Sequence, residues 1–214
     1  MPHELTKAAR IEFWFDFGSN YSYLAVMRID ELIADSEISV VWRPFLLGPI
    51  FRSFGWETSP FVLQKEKGAY VWRDMERQCA KYRLPWKRPS NFPRRAILPM
   101  RVATLGSDEP WISAYNRQIM HMNFAEDRDV EAPEVVGEVL QGLGLSASEI
   151  LRAAQTDENK LRLREQTETA RIRGIFGAPT FFVGEEMFWG NDRLEDALDF
   201  ARKQSERDEP RTKD

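Results

Sequence analysis

Cysteine and histidine are nearly absent from this sequence, which has one cysteine and two histidines in 214 residues. The single cysteine, Cys79, excludes an internal disulfide and any C-x-x-C redox pair. Together with His3 and His121 it is too small a set of soft ligands for a zinc-type site. We therefore expect no metal site, and the low cysteine content is consistent with a reducing cytoplasm.

Long apolar runs and a basic excess are also absent. No apolar stretch approaches the ~18 residues of a membrane span, and no signal-peptide pattern follows the first ten residues. The net charge of −4 is spread along the chain, whereas a nucleic-acid-binding domain carries a concentrated basic face. With 43% hydrophobic residues the composition is typical of a globular protein. We expect a cytoplasmic protein that binds neither nucleic acid nor membrane.

The stretch from Ile11 to Ala25 predicts a strand that leads directly into a helix. Aromatic residues recur up to Phe17, as is typical of a buried strand. Gly18 permits a tight turn, and Ser19 falls at the N-cap of the following helix. Parallel sheets bind ligands at such strand-to-helix junctions, where unpaired N–H groups favour anions. Ser19 therefore has two interpretations, an ordinary N-cap or a hydroxyl directed at an anionic ligand.

The next segments predict a β-α-β unit followed by helices. A β-branched run at Ile38–Arg43 forms the second strand, with a right-handed crossover from the first. Residues 45–55, rich in glycine and aromatic residues, are predicted to be a loop. Residues 64–151 have amphipathic helical patterns and contain no strong strand pattern.

The last part of the chain predicts one long helix, two short strands and a closing helix. These are Thr156–Arg173, Thr180–Val183, Met187–Trp189 and Asp192–Lys203. Without residues 64–151 the order matches the thioredoxin arrangement. We predict an α/β thioredoxin-like fold with a four-stranded mixed sheet and an inserted all-helical domain. Its parts are a discontinuous thioredoxin-like domain (11–55 and 156–204), the helical domain (64–151) and a charged tail (205–214).

Four separated stretches resemble one protein family and occur in the order of that family. They are FDFGSNYSYLA, WRPFLLG, KGAYVWRD and GIFGAPTFFV…FWGNDRLEDAL. The sequence resembles the 2-hydroxychromene-2-carboxylate isomerases, which group with kappa-class glutathione transferases and DsbA-like thioredoxin-fold proteins. The resemblance extends from about Phe13 to Ala197 and implies a thioredoxin domain with a helical insertion. It also implies glutathione as the cofactor and a homodimer.

Two positions depart from the pattern of that family. Asn20 stands where the family commonly has a proline after the active-site serine. Arg94 and Arg95 stand where it often has an asparagine near the substrate, and they are candidates to bind a substrate anion. The substrate side of the site is therefore expected to differ from that of the named isomerase.

The resemblance implies that Ser19 activates the thiol of glutathione. A thiol with a pKa near 8.5 is mostly protonated at neutral pH, and only the thiolate is nucleophilic. A hydroxyl group that donates a hydrogen bond to the sulfur stabilises the thiolate. DsbA-type relatives have the attacking cysteine at this position, so here the thiol must come from the bound cofactor.

Ala178 and Pro179 are expected to hold the peptide part of glutathione. In the thioredoxin group the proline before this strand is cis, and the resemblance implies the same for Pro179. A cis bond directs the N–H and C=O of Ala178 toward the active-site helix, where they pair with a bound peptide as a strand would. The alternative is a proline that simply opens an edge strand.

Three further residues are candidates to bind the charged ends of glutathione. In kappa-like relatives the residues that match Asn191 and Asp192 bind the γ-glutamyl group, so Asp192 would face its ammonium and Asn191 its carboxylate. Asp192 is alternatively a first-turn acid of the last helix. Lys67 matches a family lysine and would pair with the glycyl or a substrate carboxylate, although a lone lysine is usually solvated.

The implied activity is a cis-trans isomerisation of an unsaturated aromatic acid by reversible addition of the thiolate. A kappa-like glutathione transferase or peroxidase would use the same residues on another electrophile. A non-catalytic thioredoxin-fold binding protein is the third possibility. The cysteine count excludes a dithiol oxidoreductase.

Overall fold

Four strands pair into one mixed sheet in the computed structural model, which describes residues 9–208. They are β1 (Arg10–Phe15), β2 (Ser39–Pro44), β3 (Thr180–Val183) and β4 (Glu186–Trp189). Their order across the sheet is β2-β1-β3-β4. β1 is parallel to β2 and antiparallel to β3, and β3 is antiparallel to β4. The predicted four-stranded thioredoxin-like sheet is confirmed.

Helices account for most of the other described residues. A 3₁₀ turn, Asn191–Arg193, precedes the last of them. They are α1 (Asn20–Val26), α2 (Ile29–Ile33), α3 (Leu47–Ser53), α4 (Pro60–Leu63), α5 (Lys65–Tyr82), α6 (Ile97–Leu105), α7 (Ile112–Phe124), α8 (Pro133–Gly142), α9 (Ala147–Ala154), α10 (Asp157–Ile172) and α11 (Leu194–Asp208). None of the described helices is long and apolar enough to cross a bilayer.

The two faces of the sheet bury alternate residues of β1. Phe13 and Phe15 pack on one face, where the ring of Phe13 lies 4.7 Å from that of Phe181 and stacks on Trp42 at 5.0 Å. Trp14 points to the other face. Burial of such a side chain contributes about 1.5–3 kcal/mol, so the alternation fixes which face each residue takes.

We call the apolar cluster on the first face the main core. It extends from Phe13 through Met75 of α5 to Ile119 of α7. The minor core on the second face comprises Trp14, Phe45, Ile50, Ala170, Ile175 and Phe182. No strand of the sheet lies between α4 and α9, as predicted for residues 64–151. Because they share the main core with the sheet, the division of the chain into two domains stays a prediction.

One helix was not expected from the sequence. The predicted loop at 45–55 is wrong, because residues 47–53 form the helix α3. Its N-cap residue, Leu46, makes no capping hydrogen bond through its side chain. The carboxylate of Asp16 instead accepts the N–H of Leu47 at 2.8 Å, from 31 residues away. Local sequence patterns do not contain such a long-range cap.

The C-terminal helix is longer than predicted. It continues to Asp208, beyond the expected end at Lys203, so the first residues of the predicted tail at 205–214 are helical. The rest of that tail, 209–214, lies outside the described residues, as do residues 1–8.

Candidate functional site

Ser19 makes two hydrogen bonds at the start of α1. Its backbone is extended, and its Oγ accepts the N–H of Ser22 at 3.1 Å, which confirms the predicted N-cap. The same hydroxyl donates to the carbonyl oxygen of Ala178 at 2.9 Å. With 7% of its surface exposed, Ser19 lies at the edge of the core beside the loop that precedes β3.

The peptide bond between Ala178 and Pro179 is cis, as predicted from the resemblance. The hydrogen bond from Ser19 places this loop against the N-terminus of α1. On its other side, the carbonyl oxygen of Pro179 accepts the N–H of Gly190 at 2.9 Å. The loop therefore connects the serine to the turn that carries Asn191 and Asp192.

Asn191 is buried and is held by an arginine that the sequence patterns do not indicate. Its Oδ1 accepts a hydrogen bond of 2.9 Å from Nη1 of Arg28, which follows α1. Arg28 also donates to Glu195 of α11 and lies over the ring of Tyr82. These contacts fix the start of the 3₁₀ turn beside α1.

Asp192 is the exposed residue of the same turn. Its side chain is 75% exposed, and its Oδ2 lies 3.5 Å from Nη2 of Arg193. Gly190 has φ 111° and ψ 153°, a conformation that is essentially reserved for glycine. A Cβ at Gly190 would lie 2.5 Å from Oδ1 of Asp192. Glycine therefore permits the carboxylate to fold back over the turn.

Lys67 of α5 approaches α1 through the ring of Phe61. Its Nζ is 5.9 Å from the ring centre of Phe61, whose ring makes an edge contact with Tyr21 of α1 at 6.1 Å. The hydroxyl of Tyr21 donates to Oδ2 of Asp74 at 2.8 Å. Burial raises the pKa of the Tyr21 phenol, and the charges of Asp74 and Asp192 act in the same direction. Tyr21 thus remains a protonated donor beside the site.

Asp16 is a site residue that sequence reasoning missed. Its carboxylate accepts the N–H of Gly18 at 2.7 Å and that of Leu47 at 2.8 Å, while its carbonyl oxygen accepts the N–H of Ser19 at 3.0 Å. Burial raises the pKa of the Asp16 carboxyl, and the two backbone N–H groups oppose that shift. The signal in the sequence is an acidic residue within a run of buried aromatic residues.

Arg94 supports the same turn from the helical insertion. Its Nε donates to Oδ1 of Asn123 at 2.9 Å, and its Nη2 pairs with Asp127. Asn123 in turn donates to the carbonyl oxygen of Phe17 at 2.9 Å. These contacts favour a structural role for Arg94 over the predicted contact with a substrate anion. Arg95 is 74% exposed in its side chain and stays a candidate for that contact.

The side chains of the described residues provide little support for redox chemistry or for a metal site. Within residues 9–208 no group of three histidine, cysteine or acidic side chains is placed to hold a metal ion. Burial raises the pKa of the Cys79 thiol to about 12, so very little of it is in the nucleophilic thiolate form at neutral pH.

A thioredoxin fold with a serine N-cap facing a cis-proline loop defines the class of this protein. The chain belongs to the DSBA-like thioredoxin domain family, whose model matches residues 10–200.

Three relatives place the chain within that family. It is similar to the 2-hydroxychromene-2-carboxylate isomerase of Sphingobium xenophagum, with 30% identity over 86% of this chain and 94% of the relative. It is 25% identical to glutathione S-transferase kappa 2 of Caenorhabditis elegans, over 89% of this chain and 90% of the relative. A solved structure of 2-hydroxychromene-2-carboxylate isomerase superposes with a TM-score of 0.81 and 27% identity, covering 92% of this chain and 98% of that chain. The predicted family resemblance is confirmed.

Proposed function

We propose that this protein is a glutathione-dependent cis-trans isomerase of the 2-hydroxychromene-2-carboxylate isomerase type, acting on an unsaturated aromatic acid. The observation that carries the proposal is the hydroxyl of Ser19, 2.9 Å from the carbonyl oxygen of Ala178. A serine faces the cis-proline loop where oxidoreductases of this fold have a cysteine, and the buried Cys79 does not replace it. The similarity to named isomerases supports the proposal.

The polar groups around Ser19 match the chemistry of a γ-glutamyl tripeptide. Asp192 is an exposed acceptor for an ammonium group, and the amide of Asn191 is a donor for a carboxylate. The carbonyl oxygen of Ala178 is an acceptor for a peptide N–H, and Lys67 is the cation for a glycyl or substrate carboxylate. The donors and acceptors therefore fit glutathione.

In the proposed mechanism the protein activates and orients the bound cofactor. Bound glutathione would supply a thiolate that adds to a conjugated carbon and turns a double bond of the substrate into a rotatable single bond; expulsion of the same thiolate would then restore the double bond in the isomer. With glutathione bound, Ser19 would donate its hydroxyl to the sulfur in place of Ala178 and stabilise the negative charge there. The carbonyl oxygen of Ala178 is then free to accept the peptide N–H of the ligand. Tyr21, two residues after Ser19 on α1, donates its hydroxyl to Asp74 of α5.

The test is a calorimetric titration with glutathione together with an assay on 2-hydroxychromene-2-carboxylate. We expect glutathione binding and formation of the isomer with no consumption of glutathione. A stoichiometric loss of glutathione would instead identify a transferase, which the similarity to kappa-class enzymes favours as the second candidate. Binding without turnover of this or other unsaturated aromatic acids would indicate a binding protein, and absence of binding would contradict the whole proposal.

We further propose a cytoplasmic homodimer, as the resemblance implies. Several large apolar side chains are exposed, and exposed apolar patches commonly mark interfaces. They are Phe54, Val62, Leu63, Phe176 and Trp189. Analytical ultracentrifugation tests the dimer, and a monomer at micromolar concentration would contradict it. Cell fractionation tests the location.

A further inference from the structure

Arg28 is a buried cation with a complete set of partners. Its side chain is 9% exposed, and its guanidinium lies 3.6 Å from the ring centre of Tyr82. One end donates to Asn191 and the other end forms an ion pair with Glu195. A buried charge is tolerated only with such partners, so the position of the guanidinium is well determined.

The contact with Arg28 determines which way the amide of Asn191 points. Arginine has only hydrogen-bond donors, so the end of the amide that faces Arg28 must be the oxygen. The opposite end, Nδ2, has no hydrogen-bond partner among the described residues. It is also not one of the polar atoms that are sealed in the core without a partner. Nδ2 is therefore the end of Asn191 that is left to bind a ligand.

We propose that Arg28 is a positioning residue that orients the Asn191 amide, so that its Nδ2 group selects a carboxylate in the ligand. Without Arg28 the amide can rotate and present its oxygen, which would repel a carboxylate. Asp192 follows Asn191 and offers the opposite chemistry, an acceptor for a cation. The Asn191 amide then donates to the α-carboxylate of the ligand, and the Asp192 carboxylate accepts from its α-ammonium group. This inference rests on the proposed function, in which that end belongs to the γ-glutamyl group.

The experiment compares two ligands by calorimetry. One is glutathione, and the other is γ-aminobutyryl-cysteinyl-glycine, which lacks only the α-carboxylate of the γ-glutamyl group. We expect the wild-type protein to prefer glutathione by roughly ten- to a hundredfold, the value of one hydrogen bond to a charged group. Arg28→Met keeps the apolar contact with Tyr82 and should lose most of that preference. Arg28→Lys, which has only donors, should restore part of it.

Two further variants make the result specific. Asn191→Asp keeps an acceptor for Arg28 but has no donor for the ligand, so it should lose the preference as well. It also provides the test if Arg28→Met does not fold. Arg202→Met is the matched control, since Arg202 of α11 binds Asp199 and the carbonyl oxygen of Leu32. We expect Arg202→Met to keep the wild-type preference.

The outcomes separate this inference from the proposed function. An equal loss of affinity for both ligands in Arg28→Met, or an unchanged preference in Asn191→Asp, overturns the role of Arg28 while glutathione binding stands. Absence of glutathione binding by the wild-type protein overturns the proposed function and with it the ligand named here.

Discussion

At the scale of single residues, Ser19 combines a local contact with a distant one. The bond from the N–H of Ser22 belongs to the N-cap and follows from the local sequence pattern. The bond to Ala178 joins residues 159 positions apart, and only the family resemblance indicated that they meet. The local part of the site was predictable from sequence alone, and the pairing across the fold was not.

We predict that Ser19→Ala lowers turnover roughly ten- to a hundredfold and changes glutathione affinity much less. The lost bond to the charged sulfur is worth about 1.5–3 kcal/mol, and it counts most where the thiolate forms and leaves. The pKa of the bound thiol should rise, which is measured by thiolate absorbance against pH.

Thr156→Ala is the control for loss of an N-cap. Thr156 caps α10 by accepting the N–H of Asn159 at 3.3 Å, so both variants should lose about 1 kcal/mol of stability. Only Ser19→Ala should lose turnover. Similar turnover in Ser19→Ala and Thr156→Ala would reduce Ser19 to a structural cap.

Asp192→Ala should weaken glutathione binding and leave the thiol pKa of the bound ligand unchanged.

Asp16 should make stability depend on pH in a defined direction. Burial raises the pKa of its carboxyl in the folded protein, so the folded state binds the proton more tightly than the unfolded chain. Its contribution is fully present below the unfolded pKa of about 3.9 and is lost as pH rises through the folded pKa. We expect the stability advantage of the wild type over Asp16→Asn to shrink as pH rises above about 4. Urea unfolding of both proteins at each pH measures this difference in the free energy of unfolding.

Glu138 provides a control of opposite sign. Its hydrogen bond from Arg128 lowers the pKa of the Glu138 carboxyl, so its contribution is present at neutral pH and is lost as pH falls. The advantage of the wild type over Glu138→Gln should therefore grow as pH rises to the unfolded pKa of about 4.3 and stay constant above it. A constant difference between wild type and Asp16→Asn as pH rises above about 4 would contradict the role given to Asp16.

At the scale of elements, the order and type of most helices and strands were predictable from their patterns. The helix α3 was missed because Asp16, at the other end of the β-α-β unit, caps its first turn. The position of Arg28 was missed for the same reason, since its partner Asn191 lies 163 residues away. Sequence periodicity reports the burial of a face but does not identify the distant group that completes a turn.

The turn that carries Asn191 and Asp192 should be sensitive to the residue before it. Gly190→Ala would place a Cβ 2.5 Å from Oδ1 of Asp192 at a φ of 111°. We expect a loss of about 1–3 kcal/mol of stability and a weaker affinity for glutathione. Denaturant unfolding and calorimetry measure the two effects.

Gly174→Ala is the matched control for backbone strain alone. Gly174 has a φ of 78°, and a Cβ added there would meet no described atom within 4 Å. This variant should lose stability by about 1–2 kcal/mol and keep its glutathione affinity. Unchanged affinity in Gly190→Ala would show that the turn does not position a binding group.

At the scale of the whole molecule, the sheet and the helical insertion are held by one core. The sequence patterns separated residues 64–151 from the rest, and the structure joins them through buried residues such as Met75 and Ile119. The sequence could predict the segment that is inserted. It could not show how far the insertion shares its core with the sheet, because that depends on packing between distant residues.

We therefore predict one cooperative unfolding transition. Ile119→Ala in α7 should cost about 2–5 kcal/mol and should lower the stability of β1 and α7 by the same amount. Hydrogen exchange of the amides in both elements measures this. Leu161→Ala on α10, at a position 52% exposed, should change neither by more than about 0.5 kcal/mol. An unaffected β1 in Ile119→Ala would indicate that the helical insertion unfolds on its own.

With a serine at the N-cap of α1 and its one cysteine, Cys79, buried, the protein is expected to keep the same oxidation state when the redox conditions change. Mild oxidants and alkylating agents attack exposed thiolates, and a thiol whose pKa burial raises to about 12 presents almost none. Because it is also buried, the single thiol of the chain is poorly suited to sensing oxidants. Under the proposed function, the working rate of the protein follows the cellular supply of reduced glutathione, so redox control of this reaction is exerted on the cofactor pool and leaves the enzyme itself unaltered.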